Sequence, residues 1–199
     1  MLLLEQSYSA MARTKDFDEQ EVLAKAVDVF WRKGYNGTSM QDLVDGLGIS
    51  RSSLYDTYGD KHALYIKALE KYQCNSTGAM CEIVTNTLSA KDAIRKLLEY
   101  TTTDEEQKGC FLVNSEVEVA PHDTEVSKMI CNSGQQIEDA FYIAIKKGQD
   151  SGEITNKQDA RALARFTFNT VKGIRVTAKS TTDKTVFKDI IDMAMAVFN

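Results

Sequence analysis

One proline and two histidines are all that this 199-residue chain carries of either type. The four cysteines, Cys74, Cys81, Cys110 and Cys131, are scattered without the close pairing of a zinc site, so with only His62 and His122 beside them a His/Cys metal centre is not expected. No nucleophile elbow, phosphate-cradling glycine loop or paired catalytic carboxylates occur, which argues against an enzyme, and no cofactor is predicted. Long apolar runs are missing too. Met1-Leu2-Leu3-Leu4 is broken at once by Glu5, so it reads as neither signal peptide nor membrane span, and a cytoplasmic protein is expected with its cysteines reduced. Positive charge is also short: the net charge of −5 argues against broad electrostatic attachment to nucleic acid. Any affinity for DNA must come from local groups, among them Arg13 and Lys15 near the N-terminus and helix ends that offer backbone N–H groups to phosphates.

What is present is concentrated in Gly48 to Tyr65, GISRSSLYDTYGDKHALY. Ser50 is a good N-cap, and Leu54 and Tyr58, four apart, share the buried face of the helix that follows. Arg51, Ser52, Ser53, Tyr55 and Thr57 are left facing outward, a short polar surface that suits a major groove. Gly59 ends this helix and Asp60 caps the next. Upstream, Ser39 and Asp42 have capping-box spacing, Leu43, Val44 and Leu47 supply an apolar side, and Gly48 gives the tight turn of a helix-turn-helix. Asp18 and Glu21 form another such start, for a support helix carrying Val22, Ala26, Val29 and Phe30 up to Gly34. Trp31 is assigned to packing, and Arg32 and Lys33 to the negative end of that helix.

The run from Phe17 to Tyr72, with KGYNGTS, the Gly turn and LYDTYGDK in order, resembles the DNA-binding domain of the TetR/AcrR family of one-component transcriptional regulators. The resemblance implies an all-α protein: an N-terminal three-helix helix-turn-helix domain plus a larger C-terminal helical domain for ligand binding and dimerisation. The expected division is a flexible arm over residues 1–15, in which Met11 reads as a second possible start, a DNA-binding domain over 16–61, and a ligand-binding and dimerisation domain over 62–199. At positions matching the family, Gln41, Arg51, Ser52, Ser53 and Tyr55 would reach base edges or adjacent phosphates, while Ser39, Tyr58 and Lys61 would position the DNA backbone. Asp56 stands where a carboxylate can accept from cytosine but repels phosphate.

Beyond Tyr72 the reading rests on periodicity. No Gly/Ser or Pro linker follows Asp60, so the two domains are expected to join through continuous helical packing. Ser76–Leu88 and Ala90–Thr102 read as further segments before the polar turn DEEQKG. Phe111–Val119 reads as a short helix ending before Pro121, and a long helix runs from Asp123 or Thr124 to near Gly148, with Gly134 a candidate kink. Cys74 and Cys81, seven apart, are expected to face the core. Asp159–Lys179 and Thr185–Phe198 carry apolar residues on more than one face; Val171 and Ile190 are expected at the partner surface, and the resemblance implies a two-fold homodimer built from these helices.

The leading functional expectation is therefore a repressor that binds a palindromic double-stranded operator as a dimer and is released by a small-molecule inducer, with no membrane role. Candidate ligand-binding residues are Tyr100, Cys110, Phe111, Phe141 and Phe166. The alternative is a redox- or electrophile-sensing repressor acting through Cys110, which follows Lys108-Gly109 at the start of a helix, where the macrodipole favours a thiolate while Asp104, Glu105 and Glu106 oppose it. A helical enzyme using Cys110 and an interaction module with a purely structural helix-turn-helix complete the classes considered.

Overall fold

A computed structural model describes residues 17–102 and 106–199. The expected arm, with Arg13 and Lys15, and the acidic residues Asp104 and Glu105 lie outside the described residues. Helix α1 (Glu19–Lys33) starts because the Asp18 carboxylate accepts from the Gln20 and Glu21 N–H groups, and it ends in basic Arg32 and Lys33 at the negative pole of its dipole. Helices α2 (Met40–Leu47) and α3 (Arg51–Tyr58) follow, capped by Ser39 and Ser50. Gly48 between them is left-handed, φ 69° and ψ 28°, which costs glycine little and lets α3 turn away from α2.

Helix α4 (Lys61–Asn86) is one continuous rod of 26 residues, so the separate segment expected from Ser76 does not exist. The sequence misleads because the middle of α4 has little to bury. Its apolar residues pack near the start, through Leu64, Tyr65, Ile66, Ala68 and Leu69, and again at Met80, and these two anchored ends carry the polar centre between them. Cys74 and Cys81 sit on that solvent side, exposed rather than core-facing.

Five further helices complete the chain among the described residues: α5 (Ala90–Tyr100), α6 (Phe111–Glu118), α7 (Thr124–Ser151), α8 (Ala160–Thr177) and α9 (Lys184–Ala196). Helix α7 passes Gly148, its expected end, and stops at left-handed Gly152. The described residues contain no strand, and none of their helices is long and apolar enough to cross a membrane.

Two apolar cores organise the packing. The first gathers Phe30, Leu43, Leu54, Leu64 and Tyr65 and extends to Phe111 and Leu112 of α6 and Val126 of α7. The second is built by α5, α7, α8 and α9 around Leu97, Phe141, Ile145, Leu163 and Ile174. Each fully buried side chain of this size contributes about 1.5–3 kcal/mol relative to exposure. Helix α4 belongs to both cores, so it joins the helix-turn-helix to the remainder without a flexible break.

Candidate nucleic-acid interface and effector cavity

Helix α3 is fixed from below by Leu54, which is fully buried, and by Tyr58. Its outer side presents Arg51, Ser52, Tyr55 and Asp56, with Ser53 half-buried beside them. The Ser50 hydroxyl accepts the Ser53 N–H at 3.0 Å and lies 2.8 Å from Ser52 Oγ, so the first turn is a hydroxyl cluster pinned by its own cap. Tyr58 lies on the buried face of α3 expected for it beside Leu54. It is only 6% exposed and its hydroxyl donates to the Glu19 carbonyl at 3.3 Å, so it braces α3 on α1.

Around this helix the other expected residues are held by neighbours. Ser39 and Asp42 close a reciprocal capping box, with Ser39 N–H donating to Asp42 at 2.8 Å and Asp42 N–H to Ser39 Oγ at 3.1 Å. Lys33 donates to the same carboxylate at 2.5 Å, and this bond first, then the Ser39 contacts, holds Asp42 far below the usual carboxylate range. Gln41 is exposed and donates to Asp45 at 2.8 Å. Lys61 is half-buried with Nζ 4.4 Å from the Tyr35 ring centre, and burial lowers its pKa.

Beyond α1, two cavities share lining residues. An inner chamber of 40 Å³ lies between α4, α6, α7 and α8, walled by Met80, Leu112, Ile130, Ile137, Phe168 and Val171. An outer cleft of 320 Å³ opens between α1, α4 and α5, bordered by Val27, Trp31, Tyr72 and Tyr100. Ser76 and Arg175 line both. Of the expected ligand residues, Cys110 reaches the inner chamber and Tyr100 the outer cleft.

The other three do not. Phe111 is buried in an aromatic cluster, edge-on to Tyr65 at 5.6 Å and Tyr72 at 5.7 Å. Phe141 is fully buried in the second core, and Phe166 points outward at 48% exposure. Aromatic identity alone does not tell a packing ring from a cavity wall. Arg175 lines both cavities without belonging to the expected set, although its sequence position carries a signal: it follows Ile174 and lies four after Val171, a cation on the apolar stripe of α8.

Helix α6 ties the two regions together. Leu112, Val113 and Glu116 face the inner chamber, and Glu116 accepts from Lys172 of α8 at 2.7 Å. Two residues on, the Glu118 carboxylate accepts the backbone N–H groups of Tyr35 at 3.1 Å and Asn36 at 2.8 Å, in the loop between α1 and α2. Ser115 accepts from the buried Tyr65 hydroxyl at 2.7 Å, and His62 at the start of α4 lies 2.6 Å from Asp123.

With this geometry in view, the family model described as bacterial regulatory proteins, tetR family, matches residues 22–68, and a tetracyclin repressor-like C-terminal domain matches 91–194. An HTH-type transcriptional regulator of Bacillus subtilis, YezE, is 37% identical over 95% of this chain and 100% of its own length. The chain belongs to the TetR family. It is a DNA-binding transcriptional regulator. The HTH-type transcriptional repressor ComR of Escherichia coli is 25% identical over 84% of this chain and 82% of its own length. Among solved structures, a cysteine-substituted form of the TetR-family regulator CifR, complexed with a 26-base-pair operator duplex, superposes with a TM-score of 0.84 at 25% identity, covering 94% of this chain and 100% of that one.

Proposed function

We propose that this protein is a non-enzymatic, cytoplasmic repressor that binds a palindromic operator as a homodimer and is released when a small molecule enters the cavities beside Arg175. The observation that carries the reading is the position of α6, which walls the inner chamber through Leu112 and Glu116 and grips the loop before α2 through Glu118. A ligand that displaces α6 has a direct mechanical route to the helix-turn-helix. Residues 16–61 are assigned to operator binding and 62–199 to effector binding and dimerisation, with α4 passing between them. The named repressor among the relatives and the operator complex of CifR support the DNA half of this reading.

For the dimer, the supporting feature is an apolar outer stripe on α8 and α9, in which Phe166, Val176 and Met193 are 48%, 54% and 72% exposed. Two copies of this hairpin packed together would cover it and set two α3 helices one duplex turn apart. The test is fluorescence anisotropy on the fragment upstream of its own gene, with a scrambled duplex as control and light scattering for mass. Equal affinity for both duplexes sinks the operator assignment, and a monomer at assay concentrations sinks the dimer.

A second reading keeps the same operator and makes Cys110 the sensor. It is favoured by one contact: Cys110 Sγ faces the inner chamber and receives the Tyr72 hydroxyl at 3.7 Å, so an oxidant or electrophile entering the chamber would meet a thiol joined to α4. Cys110→Ser staying on the operator under oxidant would support it. Release with Cys110 unmodified by mass spectrometry would exclude it.

A further inference from the structure

Arg175 is a cation placed where water barely reaches, at 9% exposure, on the apolar face of α8. Its guanidinium carbon lies 5.8 Å from the Tyr100 ring centre. Among the described residues, no carboxylate stands within ion-pair distance of it and no acceptor takes a hydrogen bond from its N–H groups. The neighbouring charges are committed elsewhere: Glu116 accepts from Lys172 at 2.7 Å, Lys71 donates to Gln20 at 3.0 Å, and Lys108 pairs with Asp28 and Glu106. A guanidinium stays charged at any working pH and presents five donors, so burying one without a counter-ion is costly. A site that keeps such a group has a use for it.

A second, independent polar group points the same way. Ser133 of α7 is 2% exposed, borders the inner chamber, and its Oγ has no hydrogen-bond partner among the described residues. Ser76, Thr101 and the Lys172–Glu116 ion pair are the other polar groups on that chamber, and the rest of its wall is mainly apolar, so the combined space reads as an oily pocket with the unpartnered Ser133 hydroxyl inside and the Arg175 cation shared with the outer cleft. The outer cleft, at 320 Å³, has the volume of a small-ligand site, whereas the 40 Å³ chamber must widen to take more than a small apolar group.

We propose that the effector is a small amphipathic monocarboxylate, its carboxylate held by the Arg175 fork and its apolar body directed into the inner chamber toward Ser133 and Phe168. This rests on the effector reading above and specifies its chemistry. A planar cation unpaired among the described residues matches one carboxylate, which it can bind through two parallel N–H bonds. A dianionic phosphate would keep a surplus negative charge near Glu116. Because Arg175 also borders the cleft against Val27 and Trp31 of α1, the bound head group would sit at the seam between the effector helices and the DNA-binding helices.

The test uses the full-length protein and two matched pairs, hexanoate with hexanamide and octanoate with octanamide, by titration calorimetry. The acids are expected to bind at least about tenfold more tightly than their amides, with the preference collapsing in Arg175→Gln and partly restored in Arg175→Lys. The ligand-free Arg175→Gln protein is expected to melt no lower than wild type, and to gain a few degrees, because it loses an unpaired buried charge. Equal binding of acid and amide, no binding of either acid, or an acid preference that survives Arg175→Gln would each overturn the assignment. So would a large fall in Tm for Arg175→Gln, which would mark Arg175 as a structural residue. Operator release is read separately: acids that bind through Arg175 without releasing DNA leave this assignment standing and defeat the inducer reading. Release by neutral compounds, with no binding of the acids, does the reverse.

Discussion

Glu118 stands against Gly34: its carboxylate oxygen Oε2 lies 2.7 Å from where a Cβ on that glycine would be, while the same carboxylate binds the next two backbone N–H groups. Gly34 has φ 74° and ψ 168°, a backbone that other residues rarely adopt. A residue of α6 therefore docks on the end of α1 only because no side chain is there. Glu118→Ala should lose about 1.5–3 kcal/mol, as expected for charge-assisted hydrogen bonds left unmade, and Gly34→Ala should destabilise by strain and steric exclusion together. Urea melts of the two single variants and the double check this. Losses that simply add would show that the two positions are not coupled.

Operator contact divides by how freely each side chain is presented. Arg51→Ala should weaken specific binding by about 1–3 kcal/mol and relax preference at one base pair. Lys61→Ala should weaken all sequences alike and lower the salt slope by about 1. Anisotropy against salt, on specific and random duplexes, separates the two, and equal losses on both duplexes for Arg51→Ala would remove its base-reading role.

The outer stripe of α8 and α9, not Val171 or Ile190, is where a charge should split the proposed dimer. Val171 is 6% exposed within its own subunit and walls the inner chamber, and Ile190 packs partly on the second core, so a charge at Val171 should unfold the protein rather than split a dimer. Met193→Asp and Phe166→Asp, on the outer stripe, should keep the helical circular dichroism and give a monomeric mass with weak operator binding. Loss of helicity in both would place those residues in the protomer core instead.

Acid should unfold the protein through identifiable carboxylates. Glu153 is held below its usual pKa first by the Ser89 hydroxyl at 2.6 Å and then by the Lys91 N–H at 2.9 Å. Asp123 is lowered first by the Val126 N–H, with His62 adding to it. A group whose folded pKa is depressed stabilises the native state above its unfolded value, roughly 4, and loses that contribution as pH falls through the folded value. Tm is expected to hold level from about pH 7 to 5 and to drop below about pH 4, and Glu153→Gln should melt lower at pH 7 with a shallower acid limb. An unchanged acid limb would show that Glu153 carries none of it.

The local signals were strong enough to fix the DNA-binding half from sequence. Asp18, Ser39, Ser50 and Asp60 are caps whose side chains can satisfy free N–H groups within a few residues, and Gly48 serves a turn that needs positive φ, so each acts at short range and is readable in the chain itself. That α8 and α9 carry apolar residues on more than one face was legible for the same reason, since helical period alone sets Phe166 apart from Leu163 and Ile174.

What the sequence by itself could not decide is where groups far apart in the chain converge. Phe111, Phe141 and Phe166 look alike as candidates, yet one joins an aromatic cluster, one fills a core and one faces outward, because burial is settled by which helix arrives opposite. The 26-residue run of α4 likewise depends on partners, α1 at one end and α5 and α7 at the other, that supply the burial its polar middle lacks. Arg175 gained its meaning only in three dimensions: on a helical wheel it is one cation beside Ile174, and only the packing of α8 against α6 and α7 shows that no carboxylate reaches it among the described residues. Caps, turns and periods act over a few residues of chain, whereas cavities and unpaired charges are properties of surfaces brought together from distant parts of it.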